Sequence, residues 1–168
     1  MRVRLIKRLK YKYPTGHKYF RSEKEFAKDL SLILAQPITL KTKINVINSV
    51  LWGWTERFGK YKGCRGSYAA HKHYNLHGYK GLRHDHAIPR NILVKMIVGK
   101  RTHLSANKML KLLREFCVAV VITSKEDSQL SKAGLRQKMP KKWNLKDLYA
   151  RYKSVGIKIA KNKRCGLC

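Results

Sequence analysis

The 168-residue sequence predicts an α+β fold: one helix-rich domain with a small β-sheet. Three observations lead there. Apolar residues recur at three- and four-residue spacing in several segments, some of them preceded by a capping residue. One run, 117–123 (CVAVVIT), is short, β-branched and continuous, as a buried strand requires. No stretch approaches the roughly 18 apolar residues of a membrane span.

Residues 2–13 partly alternate, with Val3, Leu5, Leu9, Tyr11 and Tyr13 on one face, and predict a basic strand that Pro14-Thr15-Gly16 ends. Ser22 and Glu25 have capping-box spacing. Phe26, Leu30, Ile33 and Leu34 follow, so residues 23–35 should be a helix stopped by Pro37. A second helix is expected over 40–57, with Leu40, Ile44, Ile47, Leu51 and Trp54 inward. The Trp52 and Trp54 pair is read as packing in preference to base stacking. Residues 59–81 carry Gly59, Gly63, Gly66, Gly78 and Gly81 among Lys, Arg, Tyr and His, and predict a loop or a nucleic-acid clamp. Tyr61, Tyr68, Tyr74 and Tyr79 would there stack on unpaired bases. Pro89 opens a helix with Ile92, Leu93, Met96 and Ile97 on one face, and Gly99 ends it. Ser105 caps a helix over 106–116, with Met109, Leu110, Leu113 and Phe116 inward. After the strand at 117–123, Ser124 with Asp127 should start a short helix ending at Gly134. Asn144 should cap a last helix carrying Leu145, Leu148, Tyr149 and Tyr152, closed by Gly156. Residues 1–160 are expected to form the single basic nucleic-acid-binding domain, and 161–168 a loose basic tail.

The chain holds 39 Lys plus Arg against 9 Asp plus Glu, a formal charge of +30. Solubility needs only a small excess of either sign. An excess this large repels itself unless a polyanion offsets it, and nucleic acid, DNA or RNA, is the usual polyanion. No long amphipathic basic helix points to a membrane partner. The N-terminus lacks the apolar run of a signal peptide, so the expected location is the cytoplasm. Disulfides among Cys64, Cys117, Cys165 and Cys168 are then not expected.

Five of the seven histidines, His71, His73, His77, His84 and His86, lie within residues 71–86. The first three are as readily loop residues facing phosphate as functional groups. His84-Asp85-His86-Ala87-Ile88-Pro89 is more specific: Asp-His-x-x-Pro, after a loop and before a helix, resembles the first motif of HNH nucleases of the His-Me finger (ββα-metal) superfamily. The resemblance implies an endonuclease, a hydrolase of phosphodiester bonds, in which Asp85 holds a divalent metal (Mg²⁺ or Mn²⁺) and His86 is general base on the attacking water. Asn91 and His103 are the nearby candidates for a further ligand, and the expected metal pair is Asp85 with His103. Zn²⁺ ranks lower: His71, His73 and His77, or Cys64 with Cys165 and Cys168, match no standard finger spacing.

The residues themselves also support a metal-free arrangement. In an extended segment His84 and His86 share a face, with Asp85 opposite. Two imidazoles could act as acid and base in RNA cleavage through the 2′-hydroxyl, with Arg83, Arg90 or Lys80 stabilising the phosphorane. In either chemistry His84, Asp85 and His86 form the candidate catalytic group. Lys60, Lys62, Arg65, Lys72, Lys80, Arg83 and Arg90 are the candidate phosphate contacts. The expectation is therefore a small nuclease. The alternative is a non-catalytic nucleic-acid binder, of architectural, ribosome-associated or phage-inhibitor type, using the same surface.

Overall fold

The computed structural model describes residues 21–61, 64–99 and 104–164. The strand expected at 2–13, the turn at 14–16, Lys62, His103, Cys165 and Cys168 lie outside them. The expected α+β, helix-rich architecture is observed. The elements run α1 (Glu23–Ala35), α2 (Leu40–Glu56), β1 (Arg65–Ser67), α3 (Tyr68–His77), β2 (Leu82–His86), α4 (Arg90–Val98), α5 (Ala106–Phe116), β3 (Ala119–Thr123), α6 (Ser124–Lys132), α7 (Ala150–Lys153) and β4 (Ile159–Arg164). Among the described residues no helix is long and apolar enough to cross a membrane.

The strands form one mixed sheet in the order β2-β3-β1-β4. β3 pairs parallel to β1 and antiparallel to β2, and β4 lies antiparallel on β1. The β-branched run supplies the interior strand because it is apolar on both faces. Ala119 and Val121 pack on one side with Cys64, Ala70 and Leu82, while Val120 and Ile122 pack on the other with Leu130, Tyr152 and Ile157. A separate helical core unites α1, α2, α4 and α5 through Phe26, Leu30, Ile47, Leu51, Trp54, Leu93, Ile97, Met109 and Leu113. Each fully buried aliphatic there contributes roughly 1.5–3 kcal/mol relative to exposure.

The capping box of α1 forms as its spacing predicts, with Ser22 N–H donating to Glu25 at 2.6 Å. In α2, Ile47, Leu51 and Trp54 are buried, but Leu40 and Ile44, expected inward, are exposed. The helix begins at the edge of the core, so its first two turns overhang it.

Further expectations are corrected. Residues 59–81 are not one loop: they contain β1 and the helix α3. The glycines bracket the glycine-free segment 68–77, and Ser67 caps it through Ala70 N–H. Tyr61, Tyr74 and Tyr79 pack on one another, Tyr61 and Tyr79 stacked at 5.1 Å, which leaves Tyr68 as the exposed tyrosine of the four. Gly78 and Gly81 make the turn into β2 at φ 63° and 83°, and the His73 ring lies against Gly81 where a Cβ would stand. Second, α6 is capped by Thr123 with Glu126, one residue earlier than the Ser124–Asp127 pair. Glu126 reaches back to Thr123 N–H at 2.8 Å and also accepts from Ser67 at 2.7 Å, while Ser124 donates instead to Gly81 O. Third, the chain after Pro140 forms only the four-residue α7. Asn144 turns onto Lys146 N–H, and Leu145 takes φ 68°, so no helix starts there. The stretch 158–168, whose sequence reads as basic and loose, contributes the strand β4 over Ile159–Arg164.

Candidate active site

β2 is an outer strand of the sheet. Its alternation sends Leu82, His84 and His86 to one face, opposite Thr123, Val121 and Ala119, and Arg83 and Asp85 to the other, opposite Ile122 and Val120. His84 and His86 thus share a face as their spacing requires, with ring centroids 5.6 Å apart. Residues from both faces of β2 line a cleft of about 740 Å³. Its other walls are Ile44, Asn48 and Trp52 of α2, Arg90, Asn91, Val94 and Lys95 of α4, and Arg136 and Gln137 beyond α6, with Asp127 at the rim.

Trp52 is the hub of this cleft. Its ring lies 5.6 Å from His84 and 5.9 Å from His86, and the Arg90 guanidinium covers it at 4.5 Å. The two tryptophans therefore part company. Trp54 is core and donates to Cys117 O at 3.0 Å, whereas Trp52 lines the cleft.

Neither ring nitrogen of His84, nor Nδ1 of His86, has a hydrogen-bond partner. The Thr55 carbonyl faces His84 without closing a full bond. His86 Nε2 meets the Thr55 hydroxyl at 3.5 Å. That hydroxyl has one proton, and its shorter contact, 3.1 Å to Trp52 O, takes it. Towards His86 the oxygen then accepts, which places the ring proton on Nε2 and leaves Nδ1 as the bare, basic nitrogen.

Burial lowers the pKa of His84 to about 4, with Lys60 and Arg90 adding to the effect and the Thr55 carbonyl opposing it. Burial likewise lowers His86 to about 3, helped by His84, Arg90 and Arg151. Both rings are neutral at pH 7, the form that accepts a proton. Both folded values lie below the ordinary 6.5, so the unfolded chain binds protons that the folded chain refuses. Stability from these rings is complete above about pH 6.5 and is lost as pH falls towards 4 and 3. Urea unfolding should show a loss on the order of 1–2 kcal/mol per ring between pH 7 and pH 5. His86→Leu should remove its share. Equal stability at the two pH values would show that the rings are hydrated.

Asp85, on the opposite face, is engaged. Its Oδ2 accepts from Tyr152 Oη at 2.7 Å and from Arg151 in a very short contact. Arg151 is 1% exposed. Its guanidinium also donates to the carbonyls of Ala87, Leu135, Arg136 and His86, the last at 2.6 Å. Burial works against the charge, but Tyr152 and Asp85 outweigh it and hold the Arg151 pKa above its ordinary value. One side chain thus pins the β2–α4 corner to the segment after α6 and to α7.

The expected phosphate contacts divide. Arg83, exposed, and Arg90 reach the histidine cleft. Lys60 is close enough to lower the His84 pKa. Lys72 and Lys80 are exposed on α3 and the turn after it. Arg65 instead packs on Tyr149 in a second cleft of about 470 Å³. His73 and His77 lie together on α3, ring centroids 4.9 Å apart, away from the cleft lining. Asn91, in the first turn of α4, accepts from Ile92 N–H and donates to Gln137 O.

Reading residue by residue missed Asn48, Trp52, Thr55, Arg136 and Arg151. Ile44, Asn48 and Trp52 have four-residue spacing, a mixed stripe that could have marked a lining face of α2. Arg151 carries no local signal. No family model, no curated protein and no solved structure matches the chain.

Proposed function

We propose that the protein binds nucleic acid through its basic surface and cleaves phosphodiester bonds in the β2 cleft, with His86 as general base. The observation that carries this reading is the pair of neutral, largely unpartnered imidazoles facing one cleft beside Arg90. Arg83 and Arg90 hold the phosphate. His86 Nδ1 takes the proton of the attacking hydroxyl, whose oxygen bonds to phosphorus as the phosphorus–leaving-oxygen bond breaks. A phosphate brought beside the rings raises the pKa of both, and His84 takes up a proton from solvent and delivers it to the leaving oxygen. In RNA the attacking group is the neighbouring 2′-hydroxyl; in DNA it is water.

The described residues do not assemble the divalent-metal site that the Asp-His-x-x-Pro resemblance implies, and His103 lies outside them. Asp85 Oδ2 is occupied by a guanidinium and a phenol, and among the described residues no three His, Cys, Asp or Glu side chains converge. Asp85 acts here by holding the corner that carries His86.

Labelled RNA and DNA strands, incubated with EDTA, Mg²⁺ or Mn²⁺, test the reading. Cleavage of RNA in EDTA, lost when the 2′-hydroxyl is removed, is the expected result. Binding without turnover in any condition would leave the non-catalytic alternative. Thr55→Val removes the acceptor that sets the His86 tautomer. It should lower kcat about fivefold with KM little changed, since one hydrogen bond is worth roughly 1 kcal/mol. An unchanged kcat would remove Thr55 from the reaction. Arg83→Ala should flatten the plot of log affinity against log salt by about 0.7 on a single strand, the share of one phosphate. An unaltered slope would place Arg83 off the backbone path.

A further inference from the structure

We infer that the cleft takes an unpaired nucleotide and leaves intact duplex outside, an inference that rests on the nuclease reading above. The rim carries three exposed cations, Arg83, Lys95 and Arg136, against the one carboxylate of Asp127. The floor is not. His86 is 5% exposed, and His84 is partly buried under Trp52.

A phosphate must therefore descend from the rim to meet Nδ1 of His86. A cleft of about 740 Å³ lies within the range of sites that engulf a drug-sized ligand, roughly one or two nucleotides. An intact duplex keeps its bases stacked and paired, so bringing one nucleotide into the cleft costs the unstacking and unpairing of that base. A single strand turns freely at each nucleotide, and its bases can splay apart.

The wall chemistry agrees. Asn48, on the α2 stripe, has an amide with no hydrogen-bond partner among the described residues, and it stands four residues before Trp52 on the same helix face. Beside it an unpaired base has a free Watson–Crick edge for an amide to bind. In a duplex that edge is taken. Trp52 itself is covered by Arg90 on one side and flanked by the two histidines, so base recognition falls to the amide and not to stacking.

The test compares one labelled sequence as a single strand, as a blunt duplex, and as a duplex with one internal bulge, in RNA and in DNA. Cleavage is expected in the single strand and at the bulge, at least about tenfold faster than in the blunt duplex. Equal cleavage of single strand and duplex overturns the inference and leaves the nuclease reading intact. Loss of all cleavage overturns the nuclease reading, and a second measurement then decides the inference. Strands carrying a photoreactive base are crosslinked to His86→Ala protein, and the modified peptides are sequenced. Crosslinks to the Asn48 segment from single strand and bulge, but not from blunt duplex, are expected; equal crosslinks from all three refute the occupant. Asn48→Trp should block those crosslinks while duplex binding to the outer basic surface continues. If Asn48→Trp leaves them unchanged, the nucleotide does not enter the cleft.

Discussion

His86→Ala is expected to lower the cleavage rate by about 10²–10⁴-fold while leaving strand affinity within a factor of about two. The ring is the deepest polar group in the cleft, and its Nδ1 has no other partner to satisfy. Its removal takes away the base but none of the exposed cations that hold the backbone. Because the ring is buried, alanine also leaves a small cavity. His86→Phe, which fills that space without a nitrogen, separates the two effects: it should fold as well as wild type and remain inactive. His84→Ala should lower the rate through the leaving-group step and flatten the alkaline side of the pH–rate profile, where loss of the acid's proton limits the wild type. Turnover at the wild-type rate in His86→Phe would remove this residue from the chemistry.

Arg151→Met should destabilise the fold by about 3–5 kcal/mol, read as a shift in the urea midpoint. The guanidinium is 1% exposed and serves four main-chain carbonyls as well as Asp85 and Tyr152. Methionine matches part of its volume and none of its donors, so those acceptors are stranded together. Arg151→Lys keeps the charge but replaces a planar fork with a single point, and it should recover only a minor part of the loss. The double variant Asp85→Leu/Arg151→Met should be more stable than Arg151→Met alone, because the stranded carboxylate is gone. An Arg151→Met midpoint within about 1 kcal/mol of wild type would show that packing alone holds the corner.

The helices were legible because their signals are local. Ser22 with Glu25, Ser105, and the apolar spacing of α4 and α5 each lie within one or two turns of the element they define. The strand at 119–123 was legible because it is apolar on both faces. The failures also have physical causes. Glycine density hid α3, since five glycines averaged over residues 59–81 obscure ten consecutive residues without any. β4 is basic and reads as solvated until β1 is placed beside it. In the site, the common face of His84 and His86 followed from strand geometry, and the cations Arg83 and Arg90 from proximity along the chain. The Arg151 contact spans 66 residues to Asp85, and Thr55 lies 31 residues from His86. Nothing in a local pattern announces either, because each depends on which elements the sheet order brings together.

The Arg151 clamp also gives the chain a timetable. β2 leaves a ribosome well before α7, so a growing chain that has reached α6 already displays both imidazoles but lacks the guanidinium that fixes their corner. Closing so long a loop is the slow kind of contact, made after local helices have formed. A strongly cationic chain born beside ribosomal RNA would thus complete the geometry proposed for cleavage only after α7 has emerged.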